Sequence, residues 1–351
     1  MGDREHRGDS SNAHVGLNDT MRVATVDYHT AGEPFRIVSG GVGPLPGRTI
    51  LDKRRYASEH LDDVRRFLVY EPRGHADMYG CFVTDPVDEG GDIGVVFFHN
   101  AGFSTACGHG TMALVTWALD SGVVPVTGAE TRVVVDAPSG RLDTVARMED
   151  GKVRSVRFTN VPSYVVEENL RVATTAGDVR ADISFGGAFY ASVRVSDLGL
   201  AVSASDLNSL IALGREIKQV IEKDRDVVHP LEPELRDIYG VIFFEDVESD
   251  EGLAQRNVTI FADGEVDRSP CGSGTSARLA LLDNAQTLPR GEMLLHGGIA
   301  GGLFRGRVTG DADVAGTPGV VTEVEGQAFV TGYNHFVLDP DDPIGTGFLL
   351  R

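Results

Sequence analysis

The feature that most constrains this chain is a five-residue motif, Cys-Gly-x-Gly-Thr, that occurs twice, beginning at Cys107 and at Cys271. Each copy continues into an apolar stretch with helical spacing, ACGHGTMALVTWAL in the first case and PCGSGTSARLALL in the second. Several strand-like runs precede each copy, and more follow it. This order predicts a duplicated α+β unit in which each half places one cysteine at the start of a helix.

Short alternating runs outside the motifs indicate strands, and the Asp-Gly pairs that begin at Asp150 and Asp263 are typical of hairpin turns. Helical spacing is present in two further segments, residues 57–71 and 203–224. The strand-like runs outnumber the helical ones in both halves. The fold class is therefore predicted to be α+β.

The chain is long enough for two domains of ordinary size, and we expect the boundary between them near residues 161–165. The first domain then spans residues 21–163 and the second spans 164–334. Residues 335–351 are candidates to return to the first domain. Residues 1–20 are polar and are expected to be a disordered tail. They are not expected to be a secretory signal, because they lack its apolar segment.

Composition excludes several classes of partner. The chain of 351 residues has 52 acidic and 32 basic residues and a net charge of −20. That charge disfavours nucleic acid and anionic membranes, because both require a basic surface. The longest apolar runs, such as residues 239–244, have the length of a strand and are too short to cross a bilayer. A small-molecule substrate and a cytoplasmic location are the expectations that remain.

The three cysteines contain no CxxC pair and are too few for a disulfide framework. Cys81 lies in a strand-like run and is expected to be a core residue. At a helix N-terminus, by contrast, a thiol faces unpaired backbone N–H groups and the positive end of the helix dipole. We therefore expect the pKa of Cys107 and Cys271 to be lowered. The neighbouring glycines allow an anion to approach the backbone closely.

If the two halves meet at a cleft, the two thiols face one bound anion from opposite sides. That geometry suits inversion at a carbon next to a carboxylate, because one thiolate removes the Cα proton and the opposite thiol protonates the other face. The motifs lack the Gly-Lys-Ser/Thr ending of a phosphate loop, and Cys107 with His109 lacks the further ligands of a zinc site. A cysteine protease would leave the second cysteine unexplained. We identify no lysine motif for pyridoxal phosphate, so we expect neither a cofactor nor a metal.

Further motifs accompany the two cysteine motifs: DYHTAGEPFRIV, GHADMYG, HNAGFSTACGHGTMAL, GGAFYA, FADGEVDRSPCGSGTSAR and the ending GFLLR. With them the chain resembles the proline racemase family over nearly its full length, from about residue 21 to 351. The resemblance implies the fold of diaminopimelate epimerase. That fold has two pseudo-symmetric domains, each a curved, mostly antiparallel sheet around a central helix, with the active site in the cleft between them.

The resemblance also implies roles for particular residues. Cys107 and Cys271 match the paired acid/base thiols of the family. The backbone amides that match the family's cradle for the substrate carboxylate are those of Gly108, His109, Gly272 and Ser273. Asp267 matches the carboxylate that binds the ring nitrogen, with the His109 side chain beside it. Phe261 and Tyr79 match the aromatic residues that pack on the ring.

Alternatives remain open for several of these positions. Asp267 could serve only as a helix N-cap, Phe261 could be a core residue, and His109 could contribute only its backbone amide. Glu33, in HTAGEP, is expected to be structural or to support the site from behind. His99 is expected to shape the pocket rather than to move a proton, and it could also contact a ring hydroxyl.

The family contains proline racemases, hydroxyproline 2-epimerases and trans-3-hydroxy-L-proline dehydratases. HNAGFST, GGAFYA, GSGTSARLAL and the ending DPDDPIGTGFLL are similar to the dehydratase branch. Dehydratases of the family typically have Ser or Thr in place of one cysteine, whereas this chain keeps both. Elimination needs one base at Cα and help for the leaving hydroxide, whereas inversion needs an acid and a base on opposite faces.

We therefore expect a racemase or epimerase, independent of pyridoxal phosphate, that inverts Cα of proline, 3-hydroxyproline or 4-hydroxyproline. The first alternative is a trans-3-hydroxy-L-proline dehydratase, a lyase that forms a pyrroline-2-carboxylate. The second is a non-catalytic imino-acid binding protein, which would need only the backbone amides and Asp267. A homodimer is compatible with this fold.

Overall fold

The computed structural model describes residues 21–350. The tail predicted for residues 1–20 lies outside the described residues. The described chain forms one large curved sheet of 18 strands, with few helices.

The elements of the first half follow one another along the chain in a fixed order of strands and helices. They are β1 (Arg22–Thr30), β2 (Glu33–Gly40), α1 (Ile50–His60), α2 (Asp62–Val69), β3 (Tyr79–Thr84), β4 (Ile93–His99), β5 (Gly102–Phe103), α3 (Gly108–Asp120), β6 (Glu130–Ala137), β7 (Gly140–Glu149) and β8 (Lys152–Thr159).

The second half repeats that order with a single α-helix in place of α1 and α2, and with one strand added at each end. Its elements are β9 (Tyr164–Thr174), β10 (Gly177–Phe185), β11 (Phe189–Arg194), α4 (Leu207–Asp224), β12 (Ile238–Val247), β13 (Ala254–Phe261), β14 (Glu265–Asp267), α5 (Gly272–Asn284), β15 (Leu294–Gly298), β16 (Leu303–Val314), β17 (Thr317–Gly326) and β18 (Ala328–Val337).

Strand pairing makes the duplication visible. In the first half β1 pairs antiparallel with β2, β2 parallel with β3, β3 antiparallel with β4, and β4 parallel with β6, after which β7 and β8 continue antiparallel. From β10 to β17 the second half repeats this alternation of antiparallel and parallel pairs. β8 then pairs with β17 and makes the two sheets continuous. The predicted fold class, α+β with two pseudo-symmetric curved sheets, is confirmed.

The two central helices, α3 and α5, are almost completely enclosed. Every residue of α3 except Asp120 is buried, and α5 is buried from Gly272 to Leu282. A helix that is buried on all sides needs protein around it, and each curved sheet provides that surrounding. No helix among the described residues combines the length and the apolar character that a membrane span requires.

The helix predicted over residues 57–71 differs from the observed one. The helical segment begins earlier, at Ile50, because Thr49 and Asp52 form a reciprocal capping box. It is interrupted at Leu61, where the backbone leaves the helical region and α1 gives way to α2. The periodicity therefore predicted the type of element, and capping residues set its bounds.

After β17 the chain returns to the first half. β18 pairs antiparallel with β1, and Phe348 forms an isolated bridge with Glu71. The backbone N–H of Leu338 also donates to the carbonyl of Met21 at 3.0 Å. The domain boundaries expected from the sequence stay a prediction.

The two central helices meet at their N-termini. A Cβ atom placed on Gly108 would lie 2.5 Å from Cα of Gly272, and one placed on Gly272 would lie 2.6 Å from Cα of Gly108. Cζ of Phe158 would lie 3.0 Å from the Cβ placed on Gly108 and 3.2 Å from the Cβ placed on Gly272. Only glycine permits this approach, because a backbone atom cannot rotate away as a side chain can.

Gly272→Ala should therefore push the two helix ends apart. We expect the free energy of unfolding to fall by roughly 1–3 kcal/mol, as for other overpacked cores, and the activity to fall with it. Gly310→Ala is the matched control, because a Cβ there would meet nothing within 4 Å. Urea denaturation of both variants measures the difference. Equal stabilities for the two variants would contradict the close contact.

Candidate active site

Both cysteines are positioned by the same order of elements. A short strand, β5 in the first half and β14 in the second, leads into a loop that ends at the N-cap of a central helix. That N-cap is Cys107 for α3 and Cys271 for α5. The threonine of each motif, Thr111 or Thr275, donates its hydroxyl to the carbonyl of its own cysteine at 2.8 Å.

The two thiols line one small cavity, which we call the thiol cavity. Its volume is about 10 Å³, close to the minimum that holds one water molecule and far below the roughly 300–1,000 Å³ of pockets for larger ligands. Every predicted site residue lies in its lining except Gly272, which contacts Gly108 beside it. The lining consists of Tyr79, Ala106, Cys107, Gly108, His109, Tyr190, Tyr239, Thr259, Phe261, Asp267, Cys271 and Ser273.

Burial governs the protonation of the two thiols. It raises the pKa of Cys107 well above the usual thiol value, and the hydrogen bond from the N–H of Gly110 at 3.2 Å opposes this only in part. Burial, and after it the charge of Asp267, raises the pKa of Cys271 to about 12. The expectation that both pKa values are lowered is wrong for this cavity, because desolvation outweighs the helix N-terminus.

The two thiols differ in backbone conformation and in their neighbours. Cys107 is extended, with φ −155°, and its Sγ lies 3.4 Å from Nε2 of His109. Cys271 has φ +62°, in a backbone region that residues other than glycine rarely adopt. Its Sγ lies 3.6 Å from the hydroxyl of Tyr190, which is hydrogen-bonded to Ser273 at 2.7 Å. Backbone strain is therefore present at one of the two thiols.

Asp267 is buried at the edge of the thiol cavity. One carboxylate oxygen accepts hydrogen bonds from the backbone N–H and the hydroxyl of Ser269, at 2.9 and 2.7 Å. The other oxygen lies 3.8 Å from Nδ1 of His109. Burial raises the pKa of Asp267 to about 6. The N-cap of α5 is Cys271, so the alternative in which Asp267 only caps the helix is wrong.

The positive potential in the cavity comes from backbone rather than from side chains. No Lys or Arg is among the described residues that line it. Burial lowers the pKa of His109 to about 3, so its imidazole is neutral. The first N–H groups of α3 and α5 have no intrahelical acceptor and lie at the positive ends of both helix dipoles. A small carboxylate between the helix ends would be stabilised by both.

Aromatic rings form one wall of the cavity. Tyr239 and Phe261 are stacked with centroids 5.5 Å apart, and Tyr79 lies 5.9 Å from Phe261. The hydroxyl of Tyr79 is hydrogen-bonded to that of Tyr239 at 3.0 Å and to Ser104. Tyr239 is half-buried, whereas the rest of the lining is buried, and with Ser104 and His99 it also lines a larger open cavity. Tyr239 therefore separates the thiol cavity from this outer space.

Two residues expected to support or shape the site lie around it. Glu33 is buried and accepts the backbone N–H of Arg268 at 2.7 Å, which ties β2 to the residue after Asp267. His99 lies with Nδ1 2.9 Å from Glu265, and its ring lies 5.3 Å from that of Tyr79. Both residues therefore contact the residues of the lining or their chain neighbours.

Four lining residues were not predicted from the sequence: Ala106, Tyr190, Tyr239 and Thr259. Thr259 lies two residues before Phe261, so the alternation of a strand places both on one face, and this signal was present in the sequence. Tyr190 lies inside GGAFYA, which was identified as a motif without a role for the residue. Tyr239 reaches the cavity because β12 pairs parallel with β11, which no local pattern indicates.

The described residues contain no arrangement typical of a metal or disulfide centre. Within residues 21–350, no three His, Cys, Asp or Glu side chains are grouped to hold a metal ion. The three cysteines are free, and Cys81 lies in the core of the first half. The chemistry available in the thiol cavity is therefore that of two thiols, a carboxyl group, hydroxyl groups and helix N-termini.

Fold and site together define a class of duplicated α+β enzymes with an enclosed cavity between the halves. The model of the proline racemase family matches residues 25–349, and the chain belongs to this family. It is 46% identical to the trans-3-hydroxy-L-proline dehydratase of Bacillus cereus, over 93% of this chain and 97% of that protein. It is 44% identical to the 3-hydroxyproline 2-epimerase of Burkholderia multivorans, over 94% and 98%.

Solved structures agree with this assignment. A hydroxyproline epimerase from Agrobacterium vitis, with bound trans-4-hydroxy-L-proline, superimposes with a TM-score of 0.87 at 33% identity, over 94% of this chain and 96% of that one. A Bacillus anthracis protein of the PhzF family has a TM-score of 0.57 at 13% identity, over 91% of this chain and 99% of that one, and it shares the fold alone. The resemblance to the proline racemase family stated from the sequence is confirmed.

Asp267→Asn should stabilise the folded protein at alkaline pH. The buried carboxyl has a pKa raised to about 6, so the folded state resists its ionisation. The free-energy cost of ionising Asp267 in the folded protein is absent below about pH 4, where the carboxyl is protonated in both the folded and the unfolded state. The full cost is present above the folded-state pKa. We expect the free energy of unfolding of the variant to exceed that of the wild type by roughly 1–3 kcal/mol at about pH 8.

Urea denaturation of Asp267→Asn at the two pH values measures this difference. Asparagine keeps an acceptor oxygen for Ser269, so the local hydrogen bonds persist in the variant. Near pH 4 the two proteins should have nearly equal stability. A gap of the same size at both pH values would contradict the raised pKa.

Proposed function

We propose that the protein inverts the Cα configuration of a ring-hydroxylated proline without a cofactor, and that 3-hydroxyproline is the first candidate substrate. The single observation behind this proposal is that two buried thiols, each at the N-terminus of a central helix, line one small cavity. Relatives named 3-hydroxyproline 2-epimerase and trans-3-hydroxy-L-proline dehydratase support the choice of ring hydroxyl. Proline and 4-hydroxyproline are the comparison substrates.

The substrate has three groups that the cavity can bind. The carboxylate lies between the helix N-termini and accepts hydrogen bonds from the backbone N–H groups of Gly108, His109, Gly272 and Ser273. The ring nitrogen faces the free oxygen of Asp267, with the His109 side chain beside it. The ring packs on Phe261 and Tyr79. This orientation leaves Cα between the two sulfur atoms.

Inversion is then one proton transfer on each side of Cα. A thiolate forms an S–H bond as the Cα–H bond breaks, and the electron pair moves into the carboxylate to give an enediolate-like dianion. Helix N-termini aimed at the carboxylate stabilise this charge in a cavity without bulk water. The opposite S–H bond then breaks, and its proton forms the new Cα–H bond. The two thiols have exchanged protonation states, and no oxidant or reductant is consumed.

Asp267 couples substrate binding to thiol ionisation. Its negative charge raises the pKa of both Cys107 and Cys271. A cationic imino nitrogen bound to Asp267 offsets that charge and so lowers both thiol pKa values. The protein therefore forms its thiolate most readily when the substrate is a bound ammonium carboxylate.

Dehydration is the second candidate, and similarity favours it, because the Bacillus cereus relative is named trans-3-hydroxy-L-proline dehydratase. One thiolate would take the Cα proton in this reaction too. The C3–O bond would then break, and the opposite thiol would protonate the leaving hydroxide to give water and a pyrroline-2-carboxylate. The second cysteine favours inversion, because elimination needs no protonation at the opposite face of Cα.

Further expectations concern the state of the protein in the cell. The three cysteines are free, so a reducing compartment suits them, and we place the protein in the cytoplasm. A homodimer stays a prediction that light scattering during size-exclusion chromatography would test. The named relatives are an epimerase and dehydratases, which removes the support for a non-catalytic imino-acid binding protein.

Proton NMR in D2O distinguishes inversion from elimination. With trans-3-hydroxy-L-proline we expect the C2 epimer with deuterium at Cα, because the incoming proton comes from a thiol that exchanges with solvent. L-proline and trans-4-hydroxy-L-proline, measured in parallel, define the ring preference. A pyrroline product without any epimer would reassign the protein as the dehydratase.

Cys271→Ser should abolish inversion, because a serine hydroxyl is far less acidic than a thiol and neither gives nor takes the proton at a useful rate. We expect kcat/KM for epimerisation to fall by roughly 10²–10⁴-fold. Cys81→Ser is the matched control, since Cys81 is a buried core thiol outside the thiol cavity, and it should keep kcat/KM. Epimerisation by Cys271→Ser at the wild-type rate would rule out the two-thiol mechanism.

A further inference from the structure

Thr259 lines the thiol cavity, and its buried hydroxyl has no hydrogen-bond partner among the described residues. Its side chain is fully buried, on strand β13. A buried hydroxyl without a partner loses its hydrogen bonds to water without replacement, and for that reason nearly all such groups in folded proteins are satisfied. An unsatisfied hydroxyl in the lining of a ligand cavity indicates a polar atom of the ligand.

The other hydroxyl groups of the lining already have partners within the protein. Tyr79 is hydrogen-bonded to Tyr239 at 3.0 Å, and Tyr190 to Ser273 at 2.7 Å. These pairs require no further partner from a ligand. Thr259 therefore differs from every other hydroxyl of the described lining.

Strand register places Thr259 beside the groups proposed to bind the ring. In the antiparallel pair of β13 and β14, Thr259 lies opposite Asp267, and Phe261 lies opposite Glu265. Opposite residues share a face of the sheet, and so do Thr259 and Phe261, which are two residues apart. Thr259 thus lies between the carboxylate assigned to the ring nitrogen and the aromatic ring assigned to the ring carbons.

We propose that the Thr259 hydroxyl binds the hydroxyl of the substrate ring and thereby sets the preference for a hydroxylated proline over proline. The proposal rests on the proposed function, because it assumes that the thiol cavity holds an imino acid. An alcohol donates one hydrogen bond and accepts others, and so does threonine, so the two groups suit each other. With proline bound, the same hydroxyl stays unsatisfied, and a site of this kind disfavours a ligand that lacks the matching group.

The test compares the wild type with Thr259→Val, which keeps the shape of the side chain and removes the hydroxyl, and with Thr259→Ser, which keeps the hydroxyl. kcat/KM is measured for trans-3-hydroxy-L-proline and for L-proline, and Kd is measured by calorimetry for pyrrole-2-carboxylate, a planar ring acid without a hydroxyl. We expect Thr259→Val to lose roughly 10- to 100-fold in kcat/KM for the hydroxylated substrate. For the same variant, kcat/KM for L-proline and Kd for pyrrole-2-carboxylate should stay within about 3-fold of the wild-type values. Thr259→Ser should resemble the wild type in all three measurements.

Two results would overturn the proposal. An equal loss for both substrates would assign Thr259 to the ring nitrogen or to the fold, and an unchanged Thr259→Val would leave it without a role in binding. An unchanged Kd for pyrrole-2-carboxylate shows that the variant cavity is intact; if Thr259→Val does not fold, Thr259→Cys replaces it. Failure of the proposed function itself is distinguishable, because the wild type would then epimerise none of the ring substrates. The Kd values of wild type and variant for trans-3-hydroxy-L-proline and L-proline would still test the hydroxyl preference.

Discussion

The contact between the N-termini of the two central helices is the constraint on which the rest of the site depends. Gly108 and Gly272 lie so close that neither can have a side chain, and Phe158 packs against both. This contact brings two helix dipoles to one point and sets the two N-cap cysteines on either side of it. A single structural condition therefore provides both the proposed anion site and the thiol pair. The continuous pairing of β8 with β17 joins the two sheets that hold these helices.

Enclosure makes this site strongly dependent on its ligand. Burial raises the pKa values of Cys107, Cys271 and Asp267 together. Each of these groups is less stable as an anion in the cavity than in water, and each negative charge disfavours the others. In the proposed complex, a zwitterionic substrate supplies the missing positive charge beside Asp267, and its carboxylate binds at the helix N-termini. The chemistry proposed here consequently begins with a redistribution of charge that only the substrate brings about.

The sequence was sufficient for those parts of the structure that depend on local pattern. The repeated motif around Cys107 and Cys271 predicted the duplication, the central helices and the N-cap position of both thiols. Enclosure is a tertiary property, so the raised thiol pKa values could not be derived from the motif. Tyr239 also escaped prediction, because parallel pairing of β11 and β12 brings it to the cavity. Thr259, by contrast, follows from the alternation of β13 and could have been predicted.

The two halves have the same plan and different side chains at one pair of equivalent positions. The second residue after each cysteine is His109 in one half and Ser273 in the other. The sulfur of Cys107 consequently adjoins a neutral imidazole, whereas that of Cys271 adjoins the hydroxyl of Tyr190, which is itself bonded to Ser273. In the proposed mechanism, forward and reverse inversion begin with proton abstraction by different sulfurs, and the base therefore has different neighbours in the two directions. A primary kinetic isotope effect at the Cα hydrogen, measured in one direction, would therefore report proton abstraction by only one of the two thiols.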